Sequence, residues 1–400
     1  MTTAFRQDLP APAGSWGPPP RFSFVGGHND DDSIPFAGLA EAAVTSLSRD
    51  GRQLATYNLG GSPLGLRSLR EQISGSLGAR AGLRCDPDQV LITSGSLQAL
   101  DLVNQAMLTA GDTVLVEQAT YGGMLSRLQA LGVTYVGVQL DDDGIDVDDL
   151  EAVLDELGGR GVSPKYLYTI PTVQNPTGSV MPEERRRRLL DVARHHDLPI
   201  FEDDCYAELT WDGDRPPSIQ AIDGDGGQVI YCGSFSKTIG PALRVGYLVG
   251  PPAVIQQLLA LKTDAGTGAV EQLTLAEFAP THFDAHVEQL VGALRAKCTT
   301  MLDALDREFG DSISIREPQG GIFVWVTFND DVDTTALVPA ATEAGIEFNP
   351  GAGWSADPAD GRRRLRLCFG HVDAETINEG VAALARIVRE QVSRRPKAAE

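Results

Sequence analysis

The stretch IYCGSFSKTIGPALRVGYLVG, residues 230–250, decides how the rest of the chain is read. An apolar run, Val229 to Cys232, gives way to small residues and then to one lysine, Lys237. Seven positions later one arginine, Arg244, heads a second apolar run. The plain reading is a basic residue at a strand end whose charged head snorkels to water. A Ser-Lys-Thr loop also invites comparison with a phosphate-binding P-loop, but that pattern needs glycine directly before the lysine, and Ser236 stands there. The remaining reading is a lysine kept dry for covalent chemistry, where desolvation lowers its pKa and makes it a nucleophile or an imine former.

On both sides of this stretch, short β-rich runs alternate with helical patterns. The candidate strands are 89–93, 113–117, 134–138, 165–170, 199–203, 228–232 and 244–249. Between them lie periodic segments such as SLQALDLVNQAML (96–108) and PEERRRRLLDVARHH (182–196). In the second, Pro182 sits at a helix start, as proline prefers, and the arginine run reads as a solvated face. Strands alternating with helices predict an α/β fold with a mostly parallel, doubly wound sheet. The last two strands are too close for a helical crossover, which leaves room for one of them to run antiparallel. After residue 287 the texture changes: a long helical pattern leads to ISIREPQGGIFVWVTF (313–328), GIEFNPG (345–351) and RRLRLCFG (363–370), a smaller α+β unit. The expected division is an N-terminal arm over 1–50, a large domain over 51–287 and a small C-terminal domain over 288–400. The Pro-rich first twenty residues are expected to be extended or disordered, and the segment 393–400 to fray.

Composition narrows the function classes. With 42% hydrophobic and 22% charged residues, a chain of 400 can bury a substantial core. The net charge of −22, from 33 basic and 55 acidic residues, argues against sequence-independent nucleic-acid binding, which needs a basic face. No segment has the apolar core of a signal peptide or approaches about 18 consecutive apolar residues, so a cytoplasmic protein without a membrane partner is expected. The five cysteines, Cys85, Cys205, Cys232, Cys298 and Cys368, show no CxxC spacing and read as small buried hydrophobes, not as disulfide or metal ligands.

In a doubly wound sheet, ligands bind outside the carboxyl ends of the strands. After 89–93 comes SGSLQAL, a turn opening a helix whose free N–H groups suit a phosphate. The next strand ends carry Tyr121 in QATYGG, Asn175 in QNPTG, Asp203 and Tyr206 in EDDCY, and then Ser234, Ser236 and Lys237. Each alone is ordinary turn, cap or core chemistry. Five at successive strand ends of one sheet are a candidate site.

Together these motifs resemble the fold-type I pyridoxal 5′-phosphate (PLP) enzymes of the class I/II aminotransferase family, in the branch of 2-aminoadipate, kynurenine and aromatic aminotransferases. The likeness runs from about Phe22 to Arg389 and rests on SGSLQAL, QNPTG, EDDCY, SFSKTIGPALRVGY and LRLCF, in the family's order. The resemblance implies that Lys237 holds PLP as an aldimine and moves the proton between the substrate Cα and the cofactor. It implies that Asp203, three residues before Tyr206, keeps the pyridine nitrogen protonated, and that Asn175 and Tyr206 hydrogen-bond the phenolate oxygen. Tyr121 would stack on the ring. Ser96, the backbone of Leu97, Ser234, Ser236 and Arg244 would hold the phosphate. Tyr57 would reach the phosphate of a second copy, which implies a homodimer with shared active sites. Arg366 would clamp the substrate carboxylate, while Arg362, Arg363 and Arg364 read as surface residues. Leu97 departs from the glutamine common there in relatives, which removes a side-chain contact but not the N–H.

The implied activity is transfer of an amino group from an L-amino acid to a 2-oxo acid. Two alternatives stand beside it: elimination, replacement or carbon–carbon bond formation on the same cofactor, and an aminotransferase-like transcription regulator, which the acidic composition disfavours. Near the N-terminus Asp30, Asp31 and Asp32 follow one another. They read either as a capped, solvated acidic turn or as a negative field at the active-site mouth that favours neutral or cationic side chains.

Overall fold

A computed structural model describes residues 20–211 and 215–394; the expectations for residues 1–19 and for the final residues from 395 lie outside these. Seven strands form the central sheet: β1 (Val90–Thr93), β2 (Thr113–Glu117), β3 (Thr134–Val138), β4 (Leu167–Thr169), β5 (Ile200–Asp203), β6 (Val229–Ser234) and β7 (Gly246–Val249). Their spatial order is β1-β7-β6-β5-β4-β2-β3. The pairs among β2 to β6 are parallel, whereas β7 is antiparallel to both β6 and β1. Eleven residues separate β6 from β7, room for a loop and a single helical turn at Pro241–Leu243 but not for a crossover helix.

The strands read as continuous apolar runs because both faces are covered. Val90 to Thr93 and Ile200 to Asp203 are buried at every position. The chain runs outward from β2 to β3 and then returns to lay β4 on the other side of β2, so the strand order reverses between β2 and β4. That crevice is where an open α/β sheet binds its ligand.

The small domain carries a second, antiparallel sheet: β8 (Ile313–Ile315), β9 (Phe323–Phe328), β10 (Asn349–Pro350) and β11 (Arg364–Cys368), in the order β8-β9-β11-β10. Strand alternation sorts its faces. Val324, Val326, Leu365 and Leu367 enter a separate apolar core with Met301, Leu305, Val381 and Leu384, whereas Phe323 joins the core of the large domain. Two long helices bind this unit, α4 (Ala269–Phe309) and α5 (Ala374–Arg394). The boundary expected between 287 and 288 falls inside α4, a continuous helix of 41 residues. The arm is tied to the small sheet: Phe22–Ser23 pairs in parallel with Ile346–Glu347, and the Phe24 carbonyl accepts from Cys368 N at 2.8 Å. It continues into α1 (Phe36–Asp50), which packs on α4. Among the described residues no helix is long and apolar enough to cross a membrane.

Two expectations about arginines need correction. The run 185–188 lies on α3 (Glu183–His195), but Arg186 is fully buried rather than solvated. Its guanidinium donates to the carbonyls of Met181, Pro171 and Pro217 and to Thr172 Oγ1, so it holds together the backbone after β4. Position 186 shares the buried face of the helix with Leu189, Leu190 and Ala193, and the carbonyl-rich loop backbone there gives a guanidinium partners that a leucine could not satisfy. Arg364 is only part-exposed; it lies on the same face of β11 as Arg366 and pairs with Asp360 at 2.6 Å.

The packing of β7 on β1 yields a test. A Cβ at Gly246 would lie 2.7 Å from both Gly95 C and Ser96 N, which are backbone and cannot move aside. Gly246→Ala is expected to cost about 1–3 kcal/mol of stability, read as a lowered denaturation midpoint, because the strand must shift against its neighbour.

Candidate active site

The turn after β6 carries Lys237 inward over the carboxyl ends of the strands. Its amine donates to the Gly27 carbonyl at 2.7 Å and lies 5.3 Å from the centroid of the Tyr206 ring. A Cβ at Gly27 would stand 3.0 Å from Nζ, so the arm approaches this closely because residue 27 has no side chain. Burial lowers the Lys237 pKa, since the ammonium form loses its water. Asn29 fixes the lysine from the other side, donating to its carbonyl oxygen at 2.9 Å.

Asp203, at the end of β5, accepts from the Tyr168 hydroxyl at 2.6 Å and from Cys205 N at 3.3 Å. Burial raises its pKa against those two donors. Asp204 differs in kind: its side chain is fully buried and ion-paired with Arg215, which also reaches Tyr231 Oη and Glu208, each at 2.9 Å. Of the two neighbouring aspartates, only Asp203 lines the cavity at the sheet end. Tyr206 lies with its ring edge-on to Phe323, centroids 5.2 Å apart, and burial pushes its phenol well up.

The phosphate-sized end of this cavity is made by the start of α2 (Ser96–Met107), which no side chain caps. Its first N–H groups are therefore open to an anion. Gly95, at φ +80°, is required twice over, since a Cβ there would sit on the Arg244 guanidinium. Arg244 itself takes a left-handed conformation, φ +53°, and donates to the carbonyls of Pro241 at 2.9 Å and Ser94 at 3.2 Å. Two carbonyls do not neutralise a guanidinium, and its other donors remain for an anion. Ser236 and Leu97 line the same space. Gln98, one place beyond the expected glutamine, turns away to bond Ser94 N and Asp264. Ser234 lines a neighbouring cavity and meets this loop by accepting from Ser236 N at 3.0 Å.

Tyr121 and Asn175 line the cavity from the two sides of the switch point. The Asn175 Oδ1 atom is buried without a partner among the described residues. Arg366, on β11, is almost wholly buried, its guanidinium between the rings of Phe323 and Trp354, 4.4 and 4.5 Å from their centroids. One Nη donates to the Gly26 carbonyl at 3.2 Å, and Nε has no partner. Tyr57 is not in this cavity; it is 83% exposed on the surface of the chain. Trp354, Phe323 and the Gly26–Asn29 strap were not singled out from sequence as site residues. The paired glycines 26 and 27 were the available signal, whereas nothing local marks a tryptophan brought in beside an arginine on another strand. Asp30 caps the turn Asp31–Ser33 and pairs with Lys297, and Asp31 and Asp32 are exposed: this is the capped acidic turn.

A cavity of about 120 Å³ thus joins an amine, a buried carboxylate, an uncapped helix start with an arginine, and an aromatic wall. The unpartnered Arg366 Nε and the open N-terminus, with Asn175 lining the same cavity, fit a planar, phosphorylated pyridine held beside a carboxylate-bearing substrate. Fold and cavity together are those of a PLP-dependent transferase of fold type I. Residues 27–384 match the family described as Aminotransferase class I and II. The chain is 32% identical to aromatic-amino-acid aminotransferase 1 of Thermococcus litoralis over 375 residues, 93% of this chain and 89% of that one. It is 35% identical over 372 residues to 2-aminoadipate transaminase of Thermus thermophilus, 92% of this chain and 90% of the relative. A crystal structure of Pyrococcus horikoshii kynurenine aminotransferase in complex with PMP superposes with a TM-score of 0.87 at 33% identity, covering 93% of this chain and 91% of that one. The chain belongs to the class I and II aminotransferase family. It is a PLP-dependent aminotransferase acting on amino acid and 2-oxo acid substrates; the elimination and regulator readings are not favoured.

Two measurements follow from the geometry. In competitive acetylation of the apoprotein, the pH midpoint for Lys237 is expected below the ordinary lysine value, because burial favours the neutral amine. Asp204→Ala, which leaves Arg215 without its buried partner, is expected to lower stability by about 3 kcal/mol in denaturant titration.

Proposed function

We propose that PLP is held in this cavity by the residues the sequence singles out, each in a separate role, and that Lys237 is the catalytic centre. The observation that carries the reading is the buried Lys237 amine, its pKa lowered by burial, in one cavity with Asp203 and the open start of α2. Bound PLP supplies an aldehyde that accepts an amino group and a ring that withdraws electrons from the substrate Cα.

The protein's part is binding, orientation and proton movement. Neutral Lys237 Nζ would be the nucleophile toward the aldehyde and, once free, the base that takes the proton from the substrate Cα and delivers it to the cofactor carbon that carried the aldehyde. Asp203 lies buried without a cation among the described residues, and a protonated pyridine nitrogen against it would supply the missing counter-charge; Tyr168 keeps the carboxylate oriented from behind. Asn175 and Tyr206 donate to the phenolate oxygen, and Tyr121 covers the ring face. The N–H groups of Ser96 and Leu97, the hydroxyls of Ser234 and Ser236, and Arg244 hold the phosphate dianion. Arg366, held against the Phe323 and Trp354 rings, takes the substrate α-carboxylate with its remaining donors.

The working assembly is a homodimer. Phe36, Val44, Leu54 and Tyr57 are large apolar side chains left exposed, Phe36 and Tyr57 by 76% and 83%. A second copy would bury such a surface and let each Tyr57 reach the phosphate held by its partner. The two sheets mark the large and small domains, joined through α4. A cytoplasmic location suits the five free cysteines.

Borohydride reduction of the holoenzyme followed by peptide mapping is expected to place the pyridoxyl group on Lys237; a label on another lysine would refute the assignment. Lys237→Ala is expected to fold and bind PLP without turnover. Asp203→Asn is expected to lose roughly a thousandfold in kcat, about 4 kcal/mol, and Asp204→Asn far less once assayed below its melting range. Titrating the holoenzyme with a panel of amino acids and following the visible cofactor band identifies the donor.

A further inference from the structure

The end of β2 holds a buried carboxylate that no role above uses. Glu117 is fully buried, and three donors converge on it: Thr169 Oγ1 at 2.7 Å and Ile170 N at 2.9 Å on Oε1, and Gln174 Nε2 at 2.8 Å on Oε2. Gln174 is saturated in turn. Its Nε2 also donates to the Ala119 carbonyl at 2.7 Å, and its Oε1 accepts from Thr177 N and Thr177 Oγ1, both at 2.8 Å. Its backbone N–H donates to Ser179 O at 2.8 Å, and its carbonyl accepts from Gly178 N at 2.6 Å.

This pair sits across the switch point. Glu117 ends β2, which leads four residues later to Tyr121, and Gln174 directly precedes Asn175 in the loop after β4. The loop between is held in an unfavourable shape. Val173, buried and β-branched, has φ +56°, a region such residues rarely occupy unless their surroundings impose it. The small domain presses on the same residue, since a Cβ at Gly320 or Gly321 would lie 2.7 Å from a Val173 methyl. A loop strained in this way relaxes when the bonds that hold it are lost, and Asn175 would move with it.

We propose that Glu117 is a positioning residue for amino transfer: through Gln174 it fixes the Asn175 carboxamide and the Tyr121 turn relative to one another across the crevice. The inference rests on the reading of Asn175 as a cofactor contact. Its chemistry needs a carboxylate, which only accepts. Glu117→Gln places an amide NH₂ against the NH₂ of Gln174, and if Gln174 flips to avoid it, Thr177 and Ala119 lose their partners. The exchange Glu117→Gln with Gln174→Glu restores donor-to-acceptor matching between the two side chains and toward Thr177, leaving only Ala119 O unmatched.

The test compares the wild type, E117Q, E117Q/Q174E and N175A. PLP is titrated into each apoprotein, the visible band of each holoenzyme is titrated with pH as a probe of hydrogen bonding at the phenolic oxygen, and thermal midpoints are recorded. E117Q is expected to weaken PLP binding about tenfold. It should also move the band's pH midpoint in the same direction as N175A, with the double variant recovering much of both effects. If N175A moves these quantities while E117Q lowers only the thermal midpoint, Glu117 is purely structural and the proposal is overturned, with the Asn175 reading intact. A double variant no better than E117Q overturns the route through Gln174. If N175A moves neither quantity, the Asn175 assignment falls and the proposal with it. Should E117Q not fold, Thr177→Val, which removes one outer donor to Gln174, is expected to give the same signature at smaller size, and its absence overturns the proposal.

Discussion

An amine can be buried in a protein only beside a counter-charge or as the neutral base. Among the described residues Lys237 pairs with no carboxylate; its amine meets the Gly27 carbonyl. That constraint organises the molecule. The carbonyl arrives on an arm that pairs with Ile346–Glu347 and bonds Cys368 through Phe24, so the lysine's surroundings depend on the small domain as well as on β6. The N-terminal arm, the central sheet and the C-terminal sheet must all be in place before the amine is dry. A lone helix or strand could not achieve that.

The same logic explains three consecutive acids at the end of one buried strand. Strand alternation sends Glu202 and Asp203 to opposite faces. Glu202 accepts from Ile219 N and Gln220 N, and burial holds its carboxyl at about 7 even with those donors. Asp203 faces the cavity with Tyr168 behind it, and Asp204, past the strand, takes Arg215. Like charges so close would repel one another if all faced one space. Glu202 is satisfied by backbone donors and Asp204 by Arg215, whereas Asp203 on the cavity side has no cation among the described residues, which leaves it able to receive one.

What could be read in the sequence followed from period and spacing. All seven strands of the large sheet lie within two residues of their expected ends, because each is an apolar run bounded by turn residues. The departure at β7 has a reason: the strand begins at Gly246 rather than at 244 because Arg244 is in a left-handed turn and cannot pair. The residues at strand ends were legible because topology places every carboxyl end on one edge. Trp354 and the Glu117–Gln174 pair were not, since each acts on a residue far away in sequence and carries no local mark; the glycine strap was marked only by its paired glycines 26 and 27. Arg186 misled for the converse reason. Composition made it one of four surface arginines, and only the loop carbonyls packed beneath it show why that one turns inward.

Arg366 shows how the two sheets become one site. It belongs to the small domain, yet Phe323 beneath it joins the large core and packs edge-on against Tyr206, while Trp354 above it lies edge-on to Tyr121 at 5.9 Å. The guanidinium lies against both rings; Gly26 O takes one Nη donor, and Nε has no partner among the described residues. A ligand carboxylate reaching it would meet an arginine already oriented by two rings that pack edge-on against Tyr206 and Tyr121 of the cavity wall. The cost of ordering a long side chain is therefore met on folding rather than on binding. Because Gly320 and Gly321, just before Phe323, also press on Val173, any shift of β9 is felt both at the arginine and in the loop of Asn175. Arg366 and the loop of Asn175 are therefore coupled through the small domain, and both depend on how that domain is seated.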